Sequence, residues 1–182
     1  HNGVGTIGTT PGYPNNVQIS NNTILNYRNG GAATKATEGN LTIDAGSALY
    51  MDYGGTPTGG PLVVKGNVVN NGNFGLGDSA GDDLYIAGNW TNTGTFIPKT
   101  RAVFFNGTAA QTITGATTFD FLTINNNTNV TLASSIINNL TLNFTAGKLI
   151  LGNNDITIGS GGTITNADNT KHIVTNGTGQ LK

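Results

Sequence analysis

Apolar residues along the chain fall in triplets that straddle one intervening residue: Leu41-Thr42-Ile43, Leu62-Val63-Val64, Leu84-Tyr85-Ile86, Val103-Phe104-Phe105, Leu122-Thr123-Ile124 and Leu140-Thr141-Leu142. Alternation of this kind puts the first and third side chains on one face of a strand and the middle one on the other. The triplets begin 21, 22, 19, 19 and 18 residues apart, and strands recurring near every 20 residues indicate a repeat. Wording recurs too. LVVKGNVVNNGNF (62–74) and LYIAGNWTNTGTF (84–96) agree at six of thirteen positions. No stretch of a dozen residues keeps helical spacing without a Gly, Pro or Asn-rich break.

These features predict an all-β chain folded as a right-handed parallel β-solenoid of roughly nine coils of about 20 residues. A β-sandwich is the alternative, but sandwich strands have no reason to repeat phrases at a fixed offset. Stacking coils do, because equivalent residues then lie one above another. Leu62 would stack on Leu84, Val64 on Ile86 and Phe74 on Phe96, with Asn67/Asn89 and Asn70/Asn92 as hydrogen-bonded asparagine ladders. Gly72 and Gly94 are expected at corners that need a positive φ. Residues 1–16, rich in Gly and Pro, read as an irregular lead-in or cap, and 17–182 as the solenoid domain. GGTPTGGP (54–61) and GLGDSAGDD (75–83) read as loop excursions between coils.

Composition changes the picture in two ways. Gly, Thr and Asn supply 84 of 182 residues, a bias that would suit a disordered chain if the remainder were polar. It is not: 36% of residues are hydrophobic and the net charge is only −1, so a core can form. Eight basic residues, scattered singly, give no electrostatic footprint for nucleic acid and none for an anionic membrane surface. No run is long enough for a membrane-spanning helix. With no cysteine, disulfides and thiolate metal sites are ruled out.

Candidate chemistry is sparse. Asp78, Asp82 and Asp83 cluster in GDSAGDD and are candidate oxygen ligands for calcium, with solvated turn acids as the plainer reading. The other acids fall mostly one per coil, without the paired column that a glycosidase needs. No catalytic residue is therefore expected, and no cofactor other than that calcium. Trp90, the lone tryptophan, is either a core residue or a sugar-stacking platform. Its position in GNWTNTGTF matches Val68 of GNVVNNGNF, which favours the core.

The block beginning at Gly88, GNWTNTGTFIPKTRAVFFNGTAAQTITGATTFDFLTINN, resembles repeats of large secreted surface proteins of Bacteroidota, typically exported by the type IX secretion system. The closing TITNADNTKHIVTNGTGQLK (163–182) looks like the segment that follows such repeats. The resemblance covers 88–182 well and 39–87 loosely. It implies an extracellular or cell-surface location and an adhesin-like role, and carries no catalytic residues. The expectation is a non-catalytic structural or adhesive segment, partnered end to end by other copies or neighbouring repeats. A carbohydrate-binding module or polysaccharide lyase, with surface glycans as partners, is the alternative.

Overall fold

The computed structural model describes residues 14–26, 34–52 and 59–182. The described residues form a parallel β-solenoid of about seven turns without helices; every pairing of its strands is parallel. That pairing excludes the sandwich, whose strands alternate in direction.

Each of the first four coils carries three short strands. Coil one has β1 (Val17–Ile19), β2 (Ile24–Asn26) and β3 (Lys35–Thr37); coil two has β4 (Leu41–Ile43), β5 (Ala48–Tyr50) and β6 (Leu62–Val64). Coil three has β7 (Val68–Asn70), β8 (Asn73–Gly75) and β9 (Leu84–Ile86); coil four has β10 (Trp90–Asn92), β11 (Thr95–Ile97) and β12 (Ala102–Phe105). Later coils fuse two sides into one long strand. β13 (Gln111–Thr114) leads into β14 (Thr117–Asn125), and β15 (Val130–Leu132) into β16 (Ile136–Ala146). β17 (Leu149–Ile150), β18 (Ile156–Ile158), β19 (Thr163–Thr165) and β20 (Ile173–Val174) complete the stack.

Three sheets result. The first runs β1-β4-β7-β10-β13-β15-β17-β20 and the second β2-β5-β8-β11. The third runs β3-β6-β9-β12-β14-β16-β18, with β19 also on β16. In-register pairing turns the sequence phrases into columns. Leu62, Leu84, Val103, Leu122 and Leu142 align along the third sheet, all at most 1% exposed. Phe74 aligns with Phe96 on the second sheet.

Three expectations need correction. There are about seven turns rather than nine, giving a body about 34 Å long at ~4.8 Å per turn. The coils are longer than supposed where corners carry loops: Leu41 pairs with Val68, 27 residues on. The triplets at Leu41 and Leu62 also belong to different sheets, so the apparent first interval of 21 is not a coil. In the last triplet the in-column residue is Leu142, which pairs with Leu122.

Gly72 and Gly94 are the third correction. Neither has a positive φ. They are glycines because the coils approach closely there. A Cβ on Gly94 would stand 2.1 Å from the Gly72 carbonyl oxygen, and one on Gly72 2.1 Å from that of Ser47.

The lead-in assigned to 1–16 lies outside the described residues except for its last three. Those already stack: Glu38 N–H donates to the Pro14 carbonyl at 2.9 Å, and Asn40 N–H to Asn16 Oδ1 at 2.7 Å.

Candidate functional site

Most of the singled-out side chains are committed to neighbouring coils. At one corner the side-chain oxygens of Asn16, Asn40, Asn67 and Asn89 accept the backbone N–H of Asn40, Asn67, Asn89 and Thr112 in turn, at 2.7–2.9 Å. The rung chemistry here is side chain to backbone. A second ladder lies inside. Asn70 Nδ2 donates to Asn92 Oδ1 at 2.8 Å, and Asn92 Nδ2 donates to Thr117 Oγ1 at 3.1 Å. Buried amides are tolerated where hydrogen bonds replace those lost to water.

Trp90 is fully buried. It pairs in register with Val68 and Ile113. Its Nε1–H donates to Thr117 Oγ1 at 3.1 Å, and its ring packs among Phe74, Phe96 and Phe119 at centroid distances of 6.4, 5.0 and 5.9 Å. The sugar-platform reading of Trp90 is therefore corrected: no face of the ring reaches solvent. The outward aromatics of the third sheet, Tyr85 and Phe104, stack 4.3 Å apart with planes 2° from parallel, so each covers one face of the other.

The three aspartates of GDSAGDD point three ways. Asp82 is buried, and its carboxylate accepts the backbone N–H groups of Gly60 (3.0 Å) and Ser79 (3.1 Å). Asp83 accepts Ala102 N–H at 2.8 Å. Asp78 reaches Lys99 Nζ at 3.4 Å. Asp82 closes its own loop, whereas Asp83 and Asp78 engage the next coil. Among the described residues no three acids or histidines converge as metal ligands.

Sequence spacing missed the corner between the second and third sheets. Asp52 follows β5, Asp78 follows β8, Lys99 follows β11 and Asp120 interrupts the register of β14. Four successive coils thus place a charged residue there. Lys99 Nζ lies 2.5 Å from Asp52 Oδ2 and 3.4 Å from Asp78 Oδ2. The Asp52 side chain is only 4% exposed and that of Lys99 29%. Asp120 accepts Thr100 N–H at 2.7 Å and Asn139 Nδ2–H at 2.9 Å. Arg101 donates to the Ser79 carbonyl at 3.2 Å.

Charge and strain meet here. Burial pushes the Asp52 carboxyl above its ordinary range, opposed by its hydrogen bond with Lys99. The hydrogen bond with Asp52 pulls Asp78 down. Lys99 is pushed down by burial, but its carboxyl partners more than compensate and leave it raised. Lys99 and Thr100 both hold left-handed backbone, φ 49° and 55°, at about 1–2 kcal/mol per residue for a side chain with a Cβ. The corner therefore holds an amine against a buried carboxyl, with a second carboxyl alongside. No protein-family description, curated protein or solved structure matches the chain.

A second buried amide cluster also escaped the sequence reading. Gln111 Nε2 donates to the Ile86 carbonyl at 2.9 Å and to that of Gly88, and Gln111 Oε1 accepts Asn126 Nδ2–H at 2.8 Å. It braces the turn between the third and first sheets. The outer groove lined by Thr118, Ser135, Ile137, Asp155 and Thr157 is open, with about 300 Å³ of space.

Proposed function

We propose that the chain is a non-catalytic structural or adhesive segment of an extracellular bacterial surface protein, working as a stiff spacer. The observation that carries this reading is where the side chains are spent. Asparagine, aromatic and aliphatic columns all run along the axis and bind each coil to the next. The wording of 88–182, similar to Bacteroidota surface repeats, supports the location and export by type IX secretion.

End-to-end partnering with another copy or a neighbouring repeat belongs to the same proposal. Ile164 and Leu181 pair in register with the fully buried Leu142 and Ile156, yet they are 38% and 46% exposed. Core-facing positions on the last rung are thus open to a further coil, as are the edges of its strands.

Light scattering and electron microscopy over rising protein concentration test the reading. Rods lengthening in steps of one solenoid are expected, with no turnover in a polysaccharide-depolymerisation assay. Depolymerisation, or saturable binding to a glycan array by a strictly monomeric chain, would overturn it in favour of a carbohydrate-active module.

A further inference from the structure

We propose that Lys99 and Asp52 condense into an intramolecular isopeptide bond, with Asp78 relaying the protons. The bond would tie coil two to coil four across coil three, closing a loop between residues 47 apart in sequence.

Geometry singles out this pair. Lys65, Lys99, Lys171 and Lys182 each lie within ion-pair distance of a carboxylate. In the Lys65–Glu38, Lys171–Asp168 and Lys182–Asp155 pairs the acids remain 29–45% exposed. Asp52 is 4% exposed, and its lysine also meets a second carboxyl, that of Asp78. The 2.5 Å contact to Oδ2 places Nζ against an atom bonded to Cγ, and a near-attack arrangement calls for ~3–3.5 Å between the reacting atoms. The reactants sit just beyond β5 and β11 of one parallel stack, and effective molarities of ~10⁵ M or more for well-oriented groups favour condensation over hydrolysis. Burial adds to the drive. An ion pair withheld from water is penalised on both charges, whereas the amide carries none.

The balance is complete without a co-reactant. Nζ of Lys99 attacks Cγ of Asp52, forming the C–N bond, and the Cγ–Oδ2 bond breaks. Two protons leave Nζ by way of Asp78, one to free the amine for attack and one after the C–N bond forms, and both pass to the departing oxygen, which leaves as water. The ammonium and carboxylate become one amide and one water. Nothing is oxidised or reduced.

The bond does not depend on the adhesive reading, and intact-mass spectrometry of the full chain tests it alone. The expected mass is one water below that of the sequence. Trypsin should fail to cut after Lys99, and fragmentation should give a branched peptide joining Asp52 to Lys99. Asp52→Ala and Lys99→Arg should each restore the full mass. Asp78→Asn, which keeps both reactants, should slow bond formation about 100-fold. The proposal is overturned if the full mass persists after prolonged incubation and trypsin cuts after Lys99, which would leave a salt bridge and nothing more. It is equally overturned if the water loss survives in Lys99→Arg, since the dehydration then lies elsewhere. An unchanged rate in Asp78→Asn would remove the relay. The wild-type measurement decides the central point even where a variant folds poorly.

Discussion

Coils two to four and coils five to seven stack by the same rule but use their residues differently. Across the early coils paired residues lie 27 and 22 apart, as with Leu41–Val68 and Val68–Trp90. Later, Val130 and Leu149 lie only 19 apart. The early coils break into three short strands with charged corners. In the later ones single strands of 9 and 11 residues turn the corner without a loop. Surplus length therefore goes to the corner between the second and third sheets, where Asp52, Asp78, Lys99 and Arg101 meet. The compact coils leave little room for chemistry, since their residues are already in the ladder.

The interiors differ as well. Coils three to five share one aromatic cluster around Trp90. The sixth has a buried amide, Asn138, directly in register with Phe119 and without a hydrogen-bond partner on either side-chain atom. A polar group stranded in this way costs about 1–3 kcal/mol.

The largest expected effect breaks the aromatic cluster. Trp90→Ala should cost about 4 kcal/mol, read from urea unfolding, because three ring contacts and the Thr117 hydrogen bond go together. Leu149→Ala, in a column without aromatics, should cost about 3 kcal/mol. A larger loss at Leu149 would show that the cluster adds nothing.

Next comes the spacing of coils. Gly94→Ala should destabilise by about 3 kcal/mol, since the new methyl meets a backbone carbonyl that cannot move alone. Gly152→Ala, at φ +59° with open space around it, should cost only about 1 kcal/mol of backbone strain. Melting curves of the two variants would separate contact from conformation.

The two buried amides should then respond with opposite signs. Asn92→Leu loses hydrogen bonds to Asn70 and Thr117, and should cost about 2 kcal/mol. Asn138→Leu should stabilise by about 1–2 kcal/mol, because the stranded amide is replaced by an apolar side chain. Loss of stability in Asn138→Leu would reveal a partner for that amide.

The smallest effect is that of acid. Hydrogen bonds with Lys182 and Lys171 hold Asp155 and Asp168 below their ordinary value of 3.8. A depressed carboxyl contributes stability that is present above 3.8 and lost as pH falls through the folded-state value. The C-terminal coil should loosen below about pH 4, seen as faster exchange of the Gln180 and Lys182 amides. At the charged corner Asp52 is raised and Asp78 lowered, so their contributions to acid sensitivity oppose each other.

Local patterning already determined a good deal. Alternation at Leu62–Val64 and Leu84–Ile86 specifies strands with one buried face, and the shared phrase at 66–74 and 88–96 specifies that they stack in register. Trp90 reads as core for the same reason, its rung partner being Val68. Period alone could not show which side of a coil each triplet occupies, so Leu41 and Leu62 looked like neighbours in one column. Nor could spacing show whether Gly94 answers to φ or to contact, because both demand the absence of a Cβ. The corner was out of reach of any local rule. Asp52 and Lys99 are joined only because two turns of unequal length bring their strand ends to one edge. Short-range pattern fixes which face of a strand is buried; the summed lengths of the loops between strands decide which charges meet.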